Sequence, residues 1–355
     1  MRVDEVPHAG CTVSGVFTAL LEDIRSAGGA AGRAHLVARG HADRLLAAAV
    51  HTGAVTRVRR GWYTTWAEGD PRIRALRVGG RLTGLSAIAA WGGWVRTPGR
   101  LLVAVPVNGS RLRCPHRRTV SFVTSPQRDS VRVHWTSQFH DRDTSDGTVT
   151  VVDALEHACL HEPAEDAIAA IDWARRAHRV DALDLAALSN RLPRRHRWLV
   201  SASSESCHSL PESLARTRLA GAGFRVREQV LLPDNPSPID LLVEESLALE
   251  IDGDEFHRER FEPDRAKDLA ATRFGFHALR PAARHVFHAW PVVLDAIRVA
   301  LTARGVALPL PRRPSASASR VNNSGQRLRR RRRTRAMPRS VSPRPKRPPP
   351  AVLSC

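Results

Sequence analysis

Within residues 239–253, two apolar runs flank the polar connection Glu244–Ser246, and outside that connection stand three carboxylates, Asp240, Glu250 and Asp252. Ile239–Val243 and Leu247–Ile251 read as two short strands, and the three residues between them, Glu244 to Ser246, are a common hairpin length. A symmetric loop sets Val243 against Leu247, Leu242 against Ala248, Leu241 against Leu249 and Asp240 against Glu250. Opposed residues share a face with Cβ atoms roughly 5 Å apart. Asp252, two residues beyond Glu250, returns to that face. The other face, Ile239, Leu241, Val243, Leu247, Leu249 and Ile251, is apolar and belongs to a core. Like charges so opposed repel, and at least one pKa should rise unless a cation compensates. Mg²⁺ (or Mn²⁺) suits carboxylate oxygens and keeps several waters. Such waters supply a nucleophile, and the metal stabilises charge that builds on a phosphate. The pattern therefore predicts metal-dependent phosphodiester hydrolysis; the simpler alternative is a solvated hairpin end with stray acids.

Several neighbours could serve that chemistry. Gly253 ends the strand where backbone can approach a ligand. His257, four residues on, is either a general base or phosphate contact, or a structural histidine. The spacing predicts a helix over Pro263–Phe274 carrying Asp264, Arg265, Lys267 and Asp268, with Pro263 suited to N1 and Asp264 to the helix N-terminus. Glu212 closes a Ser209-x-x-Glu212 capping box, a job that needs no metal. Far upstream, Arg57, Arg59 and Arg60 lie in an alternating stretch that ends Gly61-Trp62-Tyr63. They would contact nucleic-acid phosphates, positioning without reading sequence, or else merely solvate a ribbon.

The elements that must position these residues fall into segments. Residues 15–66 give three short helices, near Thr18–Ala27, Arg33–Arg39 and Ala42–Val50, then a basic ribbon, which is a winged-helix pattern. Residues 72–200 form an α+β linker domain, with a helix at Gly84–Trp91, strands such as Leu101–Val105 and Val131–His134, and helices over residues 151–192. Residues 209–303 alternate helix and strand: a helix from Ser209 to Gly221 or Gly223, a strand at Phe224–Leu232, a loop at Pro233–Pro238, the hairpin, a strand at Phe276–Leu279 and a closing helix at Trp290–Leu301. Residues 309–355 are rich in Arg, Pro and Ser, without apolar periodicity, and are expected to be disordered. They are either a nucleic-acid arm or the translation of GC-rich DNA in a shifted frame.

Composition narrows the class. The net charge of +20 is concentrated in the tail: Pro311–Cys355 holds 14 Arg and Lys and no acid, which leaves 41 basic against 35 acidic residues elsewhere. Cys11, Cys114, Cys159, Cys207 and Cys355 are odd in number and far apart, so neither a disulfide framework nor a structural zinc site is suggested. With no run of 18 apolar residues and no apolar signal core, the chain reads as cytoplasmic and without a membrane span.

The stretch Pro211-Glu212-Ser213 to Arg216, Gly223 to Gln229, Ile239-Asp240-Leu241, Leu249 to Gly253, His257, and Phe261-Glu262 to Asp264-Arg265 resembles the family catalogued as domain of unknown function 559. That family is similar to very-short-patch repair endonucleases and belongs with the restriction-endonuclease-like nucleases. The resemblance covers residues 209–303. It implies a mixed sheet flanked by helices, Mg²⁺-dependent cleavage, and functional positions at Glu212, Asp240, Glu250, Asp252, His257 and Asp264. One departure is plain: the common motif places Lys two residues after the Glu, where this chain has Asp252, although very-short-patch enzymes also lack that Lys. Gly40, Leu45, Gly53 and Val58 to Tyr63 resemble the winged-helix antitoxin domain of the AbiEi type, which implies DNA and a cognate toxin as partners. The fold class expected is α/β: an N-terminal winged helix, an α+β middle, a C-terminal restriction-endonuclease-like sheet and a disordered basic tail. The function expected is a DNA endonuclease. The alternative is a non-catalytic DNA-binding antitoxin or regulator with a degenerate nuclease fold, and nothing in the sequence excludes RNA as substrate.

Overall fold

The computed structural model describes residues 17–96, 99–137, 144–233, 235–252, 267 and 269–309. His257, Asp264 and nearly all of the tail lie outside these residues. The described part is a mixed α/β structure with three small sheets.

Three helices lead: α1 (Thr18–Ser26), α2 (Arg33–Ala38) and α3 (Asp43–His51). Leu20, Ile24, Leu36 and Leu46 recur at helical spacing and are buried together with Val55 and Tyr63. The ribbon is present as β2 (Thr56–Arg59) and β3 (Trp62–Thr64), antiparallel, with a bulge between Arg57 and Arg59. Two strands join it that the alternation did not predict. They are β1 (Ala30–Gly32), too short and too rich in Ala and Gly to register, and β7 (Thr144–Ser145), contributed from far along the chain. The sheet order is β2-β3-β1-β7.

The next part is built on β4 (Arg81–Leu82), β5 (Leu101–Pro106) and β6 (Val131–Thr136), with β5 and β6 parallel. Helices α4 (Pro71–Val78), α5 (Gly84–Ala90), α6 (Val151–His161), α7 (Ala164–Arg176) and α8 (Ala182–Arg191) surround it. Their starts are written in the sequence. Asp70 accepts from Arg72 N at 2.9 Å ahead of Pro71, Thr150 accepts from Asp153 N at 3.2 Å, and Asp181 and Asp184 complete a capping box. Leu82, Ile88, Val103, Leu155, Ile168 and Ile171 fill the largest core. Between sheet and helix, buried His134 of β6 stacks on His157 and lies against His161, both of α6, with ring centroids 4.8 and 4.6 Å away.

The last part carries α9 (Leu210–Gly221), β8 (Val226–Leu232), β9 (Asn235–Val243), β10 (Leu247–Leu249), β11 (His277–Leu279), α10 (Ala283–His288) and α11 (Trp290–Ala303). The sheet order is β11-β10-β9-β8, parallel only between β10 and β11. Strand β9 begins at Asn235, inside the segment read as a loop, because β8 pairs with it as far as Leu232–Asn235. Conversely β10 stops at Leu249, two residues short of expectation. Leu241, Val243, Leu247, Leu249 and Ile251 pack with Leu214, Val286 and Ile297 of the helices, as their alternation requires. Ile239 groups instead with Ala248, Ala270 and Ala271, so the opposite face is also covered, by helical residues 269–273.

This part is locked to the preceding one. Asp172 of α7, fully buried, accepts from Ser213 Oγ at 2.6 Å and Arg216 Nη2 at 2.8 Å of α9, and from Ser204 N at 2.7 Å. Glu165 pairs with Arg218 close by. All described residues fall in one unit, residues 1–310. Cys114, Cys159 and Cys207 are free and buried, and burial pushes the Cys159 thiol up to about 12. Among the described residues no helix is long and apolar enough to cross a membrane.

Candidate functional site

The hairpin turns through Glu244 and Glu245, both with positive φ, and its register is Leu247–Val243, Ala248–Leu242 and Leu249–Leu241. This is the pairing that the three-residue loop requires, and it carries Asp240 to the end where Glu250 emerges. Ile251 N donates to Asp240 Oδ2 at 3.0 Å and fixes that carboxylate against the facing segment. Glu250 is 5 % exposed. Its Oε2 accepts a short hydrogen bond from Lys267 Nζ, which also lies 3.6 Å from Asp240 Oδ1. Its Oε1 is buried, with no hydrogen-bond partner among the described residues. Burial, reinforced by the charge of Asp240, pushes the Glu250 carboxyl up to about 8 despite Lys267.

Glu212 approaches from α9. Ser209 Oγ caps the helix by accepting from Glu212 N at 3.4 Å, but the Glu212 carboxylate accepts from Ser209 Oγ at 2.7 Å and from His208 N at 2.9 Å rather than from the Ser209 N–H that would close a capping box. Gln229 Nε2 adds a bond to Oε2 at 3.3 Å. Gln229 lies between the paired positions Glu228–Leu241 and Val230–Ile239, across from Asp240, and holds a left-handed φ of 49°. That conformation is costly for a non-glycine residue and is characteristic of functional sites. Burial and then Asp240 raise the Glu212 carboxyl too. Thus Asp240 and Lys267 act in opposite directions on both Glu212 and Glu250.

Asp252 is engaged differently. With β10 ending at Leu249, the alternation that put Asp252 beside Glu250 no longer operates. Asp252 bridges to Ala282, and its carboxylate accepts from Arg280 Nη2 at 2.7 Å. Of the three acids expected to converge, Asp240 and Glu250 lie together at Lys267, whereas Asp252 is paired with Arg280. Among the described residues no group of three or more His, Cys, Asp or Glu is arranged to hold a metal ion. Two carboxylates with one orphaned buried oxygen still suit Mg²⁺, which is commonly held by one or two carboxylates plus waters and substrate phosphates.

The wing arginines also separate. Arg57 and Arg60 are exposed, whereas Arg59 is half-buried with its guanidinium against Gly79. Arg59 is not on an open ribbon surface, because the bulge after Arg57 turns it inward.

Sequence reasoning puts Lys267 on a helix but gives it no role. The signal that could have found it is compositional. Of 55 basic residues only Lys267 and Lys346 are lysine, so a single lysine stands ahead of the tail, and it points at the acid pair. Arg and Lys are not interchangeable: an ammonium is a compact charge, a guanidinium a planar fork. No protein-family model matches the chain, and no curated protein matches it.

Proposed function

We propose that this chain is a metal-dependent endonuclease whose reactive centre is Asp240, Glu250 and Lys267, positioned on DNA by an N-terminal winged helix. The observation that carries the reading is the buried Glu250 Oε1, left without a partner among the described residues between Asp240 and the lone lysine. A buried carboxylate oxygen without a donor is costly, and natural proteins rarely leave one without a reason. In this reading Asp240 Oδ1 and Glu250 Oε1 would hold a divalent cation. When bound, that cation would supply an activated water and stabilise the charge building on a phosphate. Lys267 Nζ stabilises the same developing charge from the protein side. Glu212 anchors Gln229 at the neighbouring strained position and sets the local field. Asp252 holds Arg280 at the edge of the site, where the guanidinium can receive a phosphate. His257 and Asp264, outside the described residues, stay as functional positions that the family resemblance implies, His257 as a general base or a phosphate contact. Arg57 and Arg60 supply phosphate contacts on the ribbon.

The test is supercoiled plasmid with Mg²⁺ or Mn²⁺, run beside Asp240→Ala. Nicking that needs metal and vanishes in the variant is expected. A second reading is a DNA-binding antitoxin or regulator that does not cut. It is favoured by the ion pairs that already neutralise Glu250 and Asp252. Shifted DNA bands without cleavage under either metal, and no metal-induced rise in melting temperature, would replace the first reading with the second. A parallel reaction on structured RNA separates the two nucleic acids.

A further inference from the structure

A cavity of about 550 Å³ opens between the ribbon and the second sheet, lined by Arg59, Arg60 and Trp62 on one side and Gly79, Asn108 and Ser110 on the other. Its size is that of small-molecule sites in general. Three arginines line it, Arg59, Arg60 and Arg81, and among the described lining residues there is no carboxylate. Arg81 is engaged elsewhere. Arg59 is not: no described residue hydrogen-bonds or ion-pairs with it. It is partly buried, and the charge of Arg113 reaches it, so its guanidinium is both desolvated and repelled. A cation in that condition is destabilising unless an anion is supplied.

The backbone makes room for this arrangement. Gly79 has φ 120°, and a Cβ there would collide with Arg59 Nη1. A Cβ at Gly80 would collide with the Ala104 carbonyl. Gly79 therefore leaves the space that the Arg59 guanidinium occupies, and Gly80 lets the chain pass close to the Ala104 carbonyl beside it. Hydroxyls of Ser110 and Ser137 and the ring of Trp62 complete a lining that is half polar and half apolar.

We propose that this cavity binds a phosphate group carried on a nucleotide, with Arg59 gripping the phosphate and Trp62 facing the base. A guanidinium matches a phosphate through two parallel charge-assisted hydrogen bonds. An indole face accepts any base by stacking. The phosphate can come from a free mononucleotide or from the 5′ end of a nucleic-acid strand. This site shares no residue with Asp240, Glu250 or Lys267, so it stands apart from the proposed cutting centre, although Arg60, which lines it, is also one of the phosphate contacts proposed for the ribbon.

The experiment titrates the full chain with inorganic phosphate, adenosine monophosphate, and a short single strand bearing either a 5′-phosphate or a 5′-hydroxyl. Binding is read by calorimetry and by thermal shift against chloride at equal ionic strength. Phosphate should raise the melting temperature beyond chloride. Arg59→Gln should weaken phosphate and mononucleotide at least about tenfold, as expected for loss of a charge-assisted pair, whereas Arg44→Gln, exposed on α3, should change neither. Arg59→Lys keeps the charge without the fork and should fall between. Preference for the mononucleotide assigns a small-molecule ligand; a 5′-phosphate strand binding about tenfold tighter than its hydroxyl counterpart assigns a strand end. No stabilisation beyond chloride, or unchanged binding in a folded Arg59→Gln, overturns the site.

Discussion

Lys267 is the residue on which the proposed chemistry turns, and its identity can be tested against its charge. Lys267→Arg keeps a cation beside Glu250 and should fold. The planar fork cannot place one compact charge between Asp240 and Glu250, however, so single-turnover plasmid nicking should fall by about 100-fold or more. A Lys267→Arg variant that cuts at the original rate would remove the ammonium from the mechanism. At this scale the sequence was half legible. Asp240 and Glu250 could be paired on paper because a three-residue turn and a two-residue period leave only one register. Lys267 could not, because its approach to them depends on a tertiary return of the chain. Arg59 was read as equivalent to Arg57 and Arg60, whereas it is half-buried and they are exposed; the register shifts between Arg57 and Arg59, and alternation alone carries no warning of that.

Elements were legible where caps and periods agreed and obscure where strands were short. The helices beginning after Thr150, Asp181 and Ser209 fall where helix was expected, and each carries a side chain that satisfies a free backbone N–H; α4 is capped in the same way by Asp70 but was not foreseen. By contrast α10 follows Pro281-Ala282 and is only six residues long, too short to show a period. Asp252 was placed by extending a strand that in fact ends at Leu249, so its assignment failed with the element. The contact between β6 and α6 makes a prediction of its own. His134 is depressed to about 3 by burial first, and then by the charges of His157, His161 and Arg132. Its ordinary value is 6.5, so the folded state refuses a proton that the unfolded chain accepts. The stability is intact above pH 6.5 and is lost as pH falls toward 3, by at most about 1.4 kcal/mol per pH unit for this one group. His134→Gln should flatten the urea midpoint against pH in that window relative to the parent. Parallel curves for the two proteins would mean that the histidine cluster does not govern acid sensitivity.

Across the whole molecule, the junction at Asp172 is the strongest tie between α7 and α9. Asp172→Ala would strand Arg216 in a buried site with only the Ala202 carbonyl at 2.8 Å and Glu228 at 3.7 Å. The cost should be about 3 kcal/mol, as for one-sided removal of a buried ion pair. A denaturation midpoint equivalent to less than about 1 kcal/mol of change would show the junction to be ornamental. The same junction has a mechanical meaning. The middle of the chain lends β7 to the first sheet and Asp172 to α9, so it is tied to both the first and the last part. On the proposed reading, the molecule behaves as a caliper with its jaws welded. The offset between the stretch of duplex it grips and the bond it breaks would be a constant of the protein, the same on every substrate it cuts.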